Sequence, residues 1–143
     1  MLTRKASLFR VINNLYFNKK EPISLVHFIT NRCNARCSFC FIDFNNPNTF
    51  KGELSLDEIN KLTKNLGKSL LNINLTGGEP FARKDIIDIG KIYLKNTLIQ
   101  SMYITTNASF PDRIETFAKS INSIDRELEL NFQISIDELP EKH

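Results

Sequence analysis

No apolar run in this sequence approaches the roughly 18 or more residues that an α-helical membrane span requires. The basic start "MLTRKASLFRVINNLYF" is not followed by the uninterrupted apolar core of a signal peptide. These absences argue against a membrane protein and point to the cytoplasm, where thiols stay reduced. Low-complexity tracts and internal repeats are missing too, and Gly and Pro number only five each. With 41% hydrophobic and 24% charged residues, the composition is that of an ordered domain. The net charge of +3, with lysines spread along the chain, gives nucleic acid or an anionic surface little support. Cysteine is scarce and clustered: Cys33, Cys37 and Cys40, spaced C-x3-C-x2-C, with no fourth. An odd number cannot pair fully within one chain, and a four-thiolate zinc site would lack a ligand.

What is present suits one domain, and a chain of 143 residues buries about 70% of its unfolded surface on folding. Leu8, Val11, Ile12 and Leu15 recur at helical spacing, so residues 1–22 read as an N-terminal helical extension. From residue 23 onward, strand-like runs alternate with helical patterns. Strands are expected over residues 23–30, 69–76, 101–107 and 128–137. Between them "LSLDEINKLTKNLG" reads as a helix with Ser55 as N-cap, Glu58 three residues on and Gly67 past its end. "KDIIDIGKIYLKN" is a second helix, weakened by the interior Gly90, and "PDRIETFAKSI" a third with Pro near its start. This alternation predicts an α/β fold built on a parallel sheet with right-handed crossovers.

The strands are not the continuous Val/Ile/Leu runs of a sheet buried on both faces. Leu71, Ile73 and Leu75 alternate with Asn72, Asn74 and Thr76; Leu130, Phe132, Ile134 and Ile136 alternate with Asn131, Gln133, Ser135 and Asp137. The apolar set must lie under the helices. Burying the polar set unpaired costs about 1–3 kcal/mol per group, so that face is expected to be wet or filled by a ligand. A curved sheet with a polar concave side follows. Among the aromatics, Phe41 is expected in the core.

Three thiols in a loop after a strand suit a zinc site, a redox pair or an iron–sulfur ligand set. Zinc would need a fourth ligand, and His27, inside the first strand, reads instead as a packed strand histidine. "CSFC" has the spacing of a redox pair but leaves Cys33 unexplained. A four-iron cluster uses all three cysteines and leaves one iron open to an exogenous molecule.

"CNARCSFC", with the aromatic Phe39 before its last cysteine, resembles the signature of the radical S-adenosylmethionine enzymes. "LTGGEP", "ITTNA" and "ISID" fall in that family's order, each at the end of an expected strand. The resemblance runs from about residue 23 to the C-terminus. It implies a partial (β/α) barrel of about four βα units out of six, so that residues 23–143 form a C-terminally incomplete core. It further implies that Cys33, Cys37 and Cys40 ligate three irons of a [4Fe–4S] cluster whose fourth iron chelates S-adenosylmethionine. Phe39 would lie near the adenine, and Gly77, Gly78, Glu79 and Pro80 would meet the methionine amino group, largely through backbone. Glycine at both positions permits positive φ and close approach of main chain to ligand. Thr106 and Asn107 would line the same cavity, with Ser135 on the methionine carboxylate or ribose and Asp137 beside it.

The activity implied is reductive cleavage to a 5′-deoxyadenosyl radical that takes hydrogen from a substrate the sequence does not identify. The implied partner is a reduced flavodoxin- or ferredoxin-like electron donor. The reading from another class is a non-catalytic zinc or iron–sulfur module. Two further expectations follow from the family pattern. The fourth strand should stand at an exposed sheet edge, and Ala108 occupies a position where the family has Gly.

Overall fold

The computed structural model describes residues 12, 16, 17 and 22–136. The expected N-terminal extension therefore lies almost wholly outside the described residues, as does Asp137. Four parallel strands, β1 (Ser24–Thr30), β2 (Asn72–Gly77), β3 (Ser101–Thr106) and β4 (Glu129–Ile134), pair in the order β1-β2-β3-β4. Helices α1 (Leu56–Asn65), α2 (Ile86–Asn96) and α3 (Pro111–Ile124) supply the crossovers, with a 3-10 turn at Pro80–Ala82 before α2. Sequential order with crossovers of one hand places all helices on one face of the sheet. This is the α/β architecture of a partial (β/α) barrel.

Alternation decides which face is covered. Ile73, Leu75, Met102 and Ile104 have no exposed surface and meet Ile59, Ile89, Tyr93, Phe117 and Ile121 in one core. On the other face Val26 and Phe28 stay 57% and 51% exposed. Several polar side chains there pair with one another across the strands. The Ser101 hydroxyl bonds Asn72 Oδ1 at 2.5 Å, and Thr105 donates to Gln133 Oε1 at 3.0 Å. β4 is an edge strand, and its last apolar position, Ile134, is 58% exposed.

Local chemistry sets the helix ends. Ser55 and Glu58 form a reciprocal capping box at the start of α1, and Gly67 takes φ +67 just past its end. Gly90 is there for packing. A Cβ on it would stand 2.8 Å from Ile121 Cδ1 and 3.2 Å from Phe117 Cε2, so α2 and α3 meet where the side chain is missing. β2 begins three residues later than its sequence pattern, because Leu71 bonds irregularly to Ile23 and Gln100 before the ladder starts. Phe41 is not in the core. It is 78% exposed and stands edge-to-face with Phe28 at 5.9 Å. Among the described residues no helix is long and apolar enough to cross a membrane.

Candidate functional site

β1 ends in a bulge. The register passes from Phe28↔Thr76 to Thr30↔Gly77, leaving Ile29 as an extra residue, and bulges of this kind re-aim a strand beside a site. The loop that follows carries all three cysteines and is docked on the end of β2. Gly78 N–H donates to Thr30 O and Glu79 N–H to Arg32 O, both at 2.8 Å. The docking admits no side chain at two places. A Cβ on Gly77 would lie 2.0 Å from Thr30 O, and one on Gly78 2.4 Å from Arg32 O. Their close approach is to the root of the cysteine loop, and of the two only Gly77 has positive φ, at +142.

The Glu79 side chain makes no part of the cavity wall. It has no exposed surface, and three donors satisfy it. Oε1 accepts from Phe81 N–H at 3.0 Å and from the Thr106 hydroxyl at 2.8 Å, while Oε2 accepts from Asn107 N–H at 2.8 Å. A buried carboxylate costs several kcal/mol unless such bonds compensate it. Glu79 thus ties the end of β2 to the end of β3. Pro80 is buried beside it, opening the 3-10 turn, and Phe81 anchors that turn against Phe117 and Phe132 at 5.7 and 6.2 Å.

A cavity of about 280 Å3 opens at the C-terminal ends of the strands, the edge where ligand sites of α/β folds gather. The cysteine loop contributes Cys33, Cys37, Phe39 and Cys40 to its wall. Gly77 at the end of β2 and Gly78 after it, Thr106 at the end of β3 and Asn107 after it, and Ser135 following β4 also line it. Nine of the twelve residues singled out from sequence therefore line one cavity; Glu79 and Pro80 are buried outside its wall, and Asp137 lies outside the described residues. Phe28, Thr76 and Thr105 join the wall without having been foreseen. They were foreseeable in part, since Thr76 and Thr105 sit on the polar face at strand ends.

The cysteines are held by short-range bonds, and no disulfide joins them. Cys40 N–H donates to Cys37 O at 3.1 Å, closing the C-x2-C pair into a turn. Around Cys33 Sγ stand two donors, Ala35 N–H at 3.4 Å and Asn107 Nδ2 at 3.8 Å. Asn107 Oδ1 accepts from Ser109 N–H at 3.0 Å, which turns the amide's NH2 end toward Cys33. Arg36 bonds the carbonyls of Cys33 and Ala35 and lies 4.0 Å over the Phe44 ring. Ala108 adopts φ +59, the conformation that favours glycine at this position.

His27 is no fourth ligand. It is half-buried, with Nδ1 3.0 Å from the Tyr93 hydroxyl, and burial, aided by the charge of Arg83, lowers its pKa below 6.5. Among the described residues no three of His, Cys, Asp and Glu stand close enough to share a single ion. Thiolates bound to separate irons need not converge as ligands of one zinc at about 2.3 Å must. Sequence reasoning also missed Arg83, a buried guanidinium between the cysteine loop and α2. Its signal was a basic residue just before a helix N-terminus, where the dipole disfavours positive charge.

The chain is 42% identical over 82 residues to the GTP 3′,8-cyclase of Yersinia pestis, a match covering 55% of the chain and 24% of that relative. With the GTP 3′,8-cyclase of Cronobacter sakazakii it shares 43% identity over 84 residues, again 55% of the chain and 25% of the relative. The matched region thus spans about a quarter of the length of these curated relatives. The family model of the radical SAM superfamily matches residues 28–142, and the chain belongs to that superfamily, whose members work with a [4Fe–4S] cluster and S-adenosylmethionine.

Proposed function

We propose that this chain is the cofactor-binding part of an enzyme that cleaves S-adenosylmethionine reductively, with Cys33, Cys37 and Cys40 as the iron ligands. The observation that carries the reading is the gathering of the three thiols with Gly77, Gly78, Asn107 and Ser135 around one cavity at the strand ends. The donor set fits the cluster. Three sulfurs from one short loop leave a fourth iron without a protein ligand, and His27 is engaged elsewhere. When bound, the cluster and S-adenosylmethionine supply one-electron cleavage of a carbon–sulfur bond, giving methionine and a 5′-deoxyadenosyl radical that takes hydrogen from substrate.

The chain's own residues bind and orient. The backbone N–H groups of Gly78 and Glu79 are spent on the cysteine loop, so this turn has carbonyl oxygens to offer, which suits an ammonium group that only donates. Ser135 supplies a hydroxyl for the methionine carboxylate or ribose. Phe39, 60% exposed in the wall, offers a ring face to an adenine. Residues 23–143 serve as the core in this reading, with Asp137 carried over from the family pattern, and electrons come from a reduced flavodoxin- or ferredoxin-like donor. The relatives' name makes GTP the first substrate to try.

Anaerobic incubation of the reconstituted chain with dithionite and S-adenosylmethionine tests this, with and without GTP. Formation of 5′-deoxyadenosine that is abolished by Cys37→Ala is the expected result. A chain that loads its cluster yet releases no 5′-deoxyadenosine under any of these conditions contradicts it.

A further inference from the structure

The loop that carries the cysteines leaves the sheet after Thr30 and runs to Leu54, just before α1, and one side chain bridges its two ends. Arg83, 8% exposed, donates from Nη1 to Ile29 O at 2.6 Å and from Nη2 to Leu54 O at 2.7 Å. Its Nε and Nη2 also bond the two oxygens of Asp85, at 2.7 and 3.2 Å. Asp85 stands at the N-cap of α2 but makes no capping bond, because Arg83 has its carboxylate. The Arg83 carbonyl in turn accepts from Arg113 on α3 at 3.2 Å. One residue further into the loop a second link repeats the first. The Thr30 hydroxyl donates to Glu53 Oε1 at 2.6 Å, and Arg32 Nε lies 3.4 Å from the same oxygen.

We infer that Arg83, seconded by Glu53, is a positioning residue that closes the base of the cysteine loop and so presets the three thiols before metal arrives. The inference rests on the reading of that loop as the cluster's holder. A loop of this length with free ends samples many conformations, and ordering it on metal binding subtracts from affinity. With its ends fixed, much of that ordering is complete in the metal-free protein. Only a planar guanidinium reaches both carbonyls and the carboxylate at once; an ammonium is a single point donor.

The test uses the full chain, metal-free and reconstituted, as wild type, Arg83→Lys and Glu53→Ala, with Lys119→Ala as a surface control. Hydrogen exchange in the metal-free protein should quicken about tenfold across residues 31–53 in Arg83→Lys while β2 and β3 keep their protection. Iron loss from the reconstituted protein to a chelator should accelerate in the same variant, and Glu53→Ala should move both readouts the same way by less. Unchanged loop exchange overturns the inference. So does exchange that rises equally through the whole sheet, which is the mark of a general core defect. If Arg83→Lys does not fold, Glu53→Ala decides alone, and an unaltered loop there overturns it. A wild type that takes up no iron defeats the cofactor reading, while the metal-free exchange still decides the clamp.

Discussion

Gly77 and Ala108 sit at the ends of neighbouring strands, and their backbones ask for the same residue. At Gly77, φ +142 and the carbonyl of Thr30 leave no room for a Cβ. Gly77→Ala is expected to cost about 3 kcal/mol, from strain plus the clash. Ala108 holds φ +59, a conformation that costs a residue with a side chain about 1 kcal/mol or more. Ala108→Gly is therefore expected to stabilise the chain by about 1 kcal/mol, read as a higher urea midpoint at unchanged slope. An unmoved midpoint in either variant contradicts the reading of that turn. Such residues were legible in the sequence because their signals are local: the cysteine spacing, the Gly-Gly pair, an alanine out of pattern. Glu79 stood out in the sequence through its motif, but not as a buried strut, since its partners Thr106 and Asn107 lie 27 and 28 positions away.

Elements were read from periodicity, and periodicity reports faces better than ends. The alternation in β2 placed Ile73 and Leu75 in the core correctly. It placed the start of β2 too early, because Ser69 and Leu70 are buried outside the ladder. α3 runs to Ile124, beyond the last residue of its apolar stripe. Gly90 looked like a weak point in α2 when judged by propensity. It is instead where Ile121 and Phe117 of α3 pack against the α2 backbone, and that contact joins residues far apart in sequence. Gly90→Ala sets a helix-propensity gain of about 1 kcal/mol against an overpacking cost of about 1–3 kcal/mol. Ile121 Cδ1 can swing aside, but the Phe117 ring behind it is fixed by Phe81 and Phe132. A net loss of about 1 kcal/mol is expected in thermal or urea unfolding. A stabilised variant contradicts the tight α2–α3 contact.

For the whole molecule the division is between a helix-covered face that stabilises and a strand-end cavity proposed as the binding site. The stabilising half carries an acid sensitivity. His27 has its pKa lowered from 6.5, by burial first and then by the charge of Arg83. Below pH 6.5 the unfolded chain therefore takes up a proton that the folded chain resists. The stability this neutral histidine permits is complete above pH 6.5 and declines as pH falls toward the lowered folded value. The Arg83 hydrogen bond lowers the Asp85 pKa from 3.8, which adds a loss of the same sign at lower pH. Urea midpoints measured from pH 7.5 to 5 should fall in wild type and fall less in His27→Gln. Parallel profiles contradict the assignment.

The proposed function stands or falls on one iron that, in that reading, Cys33, Cys37 and Cys40 leave without a protein ligand. Electron paramagnetic resonance of the anaerobically reconstituted, dithionite-reduced chain, recorded before and after adding S-adenosylmethionine, addresses it directly. The expected result is about four irons per chain, as a cubane contains, and a reduced-cluster signal whose g values move when S-adenosylmethionine is added. One bound zinc in place of iron, or a cluster signal indifferent to S-adenosylmethionine, would contradict the account.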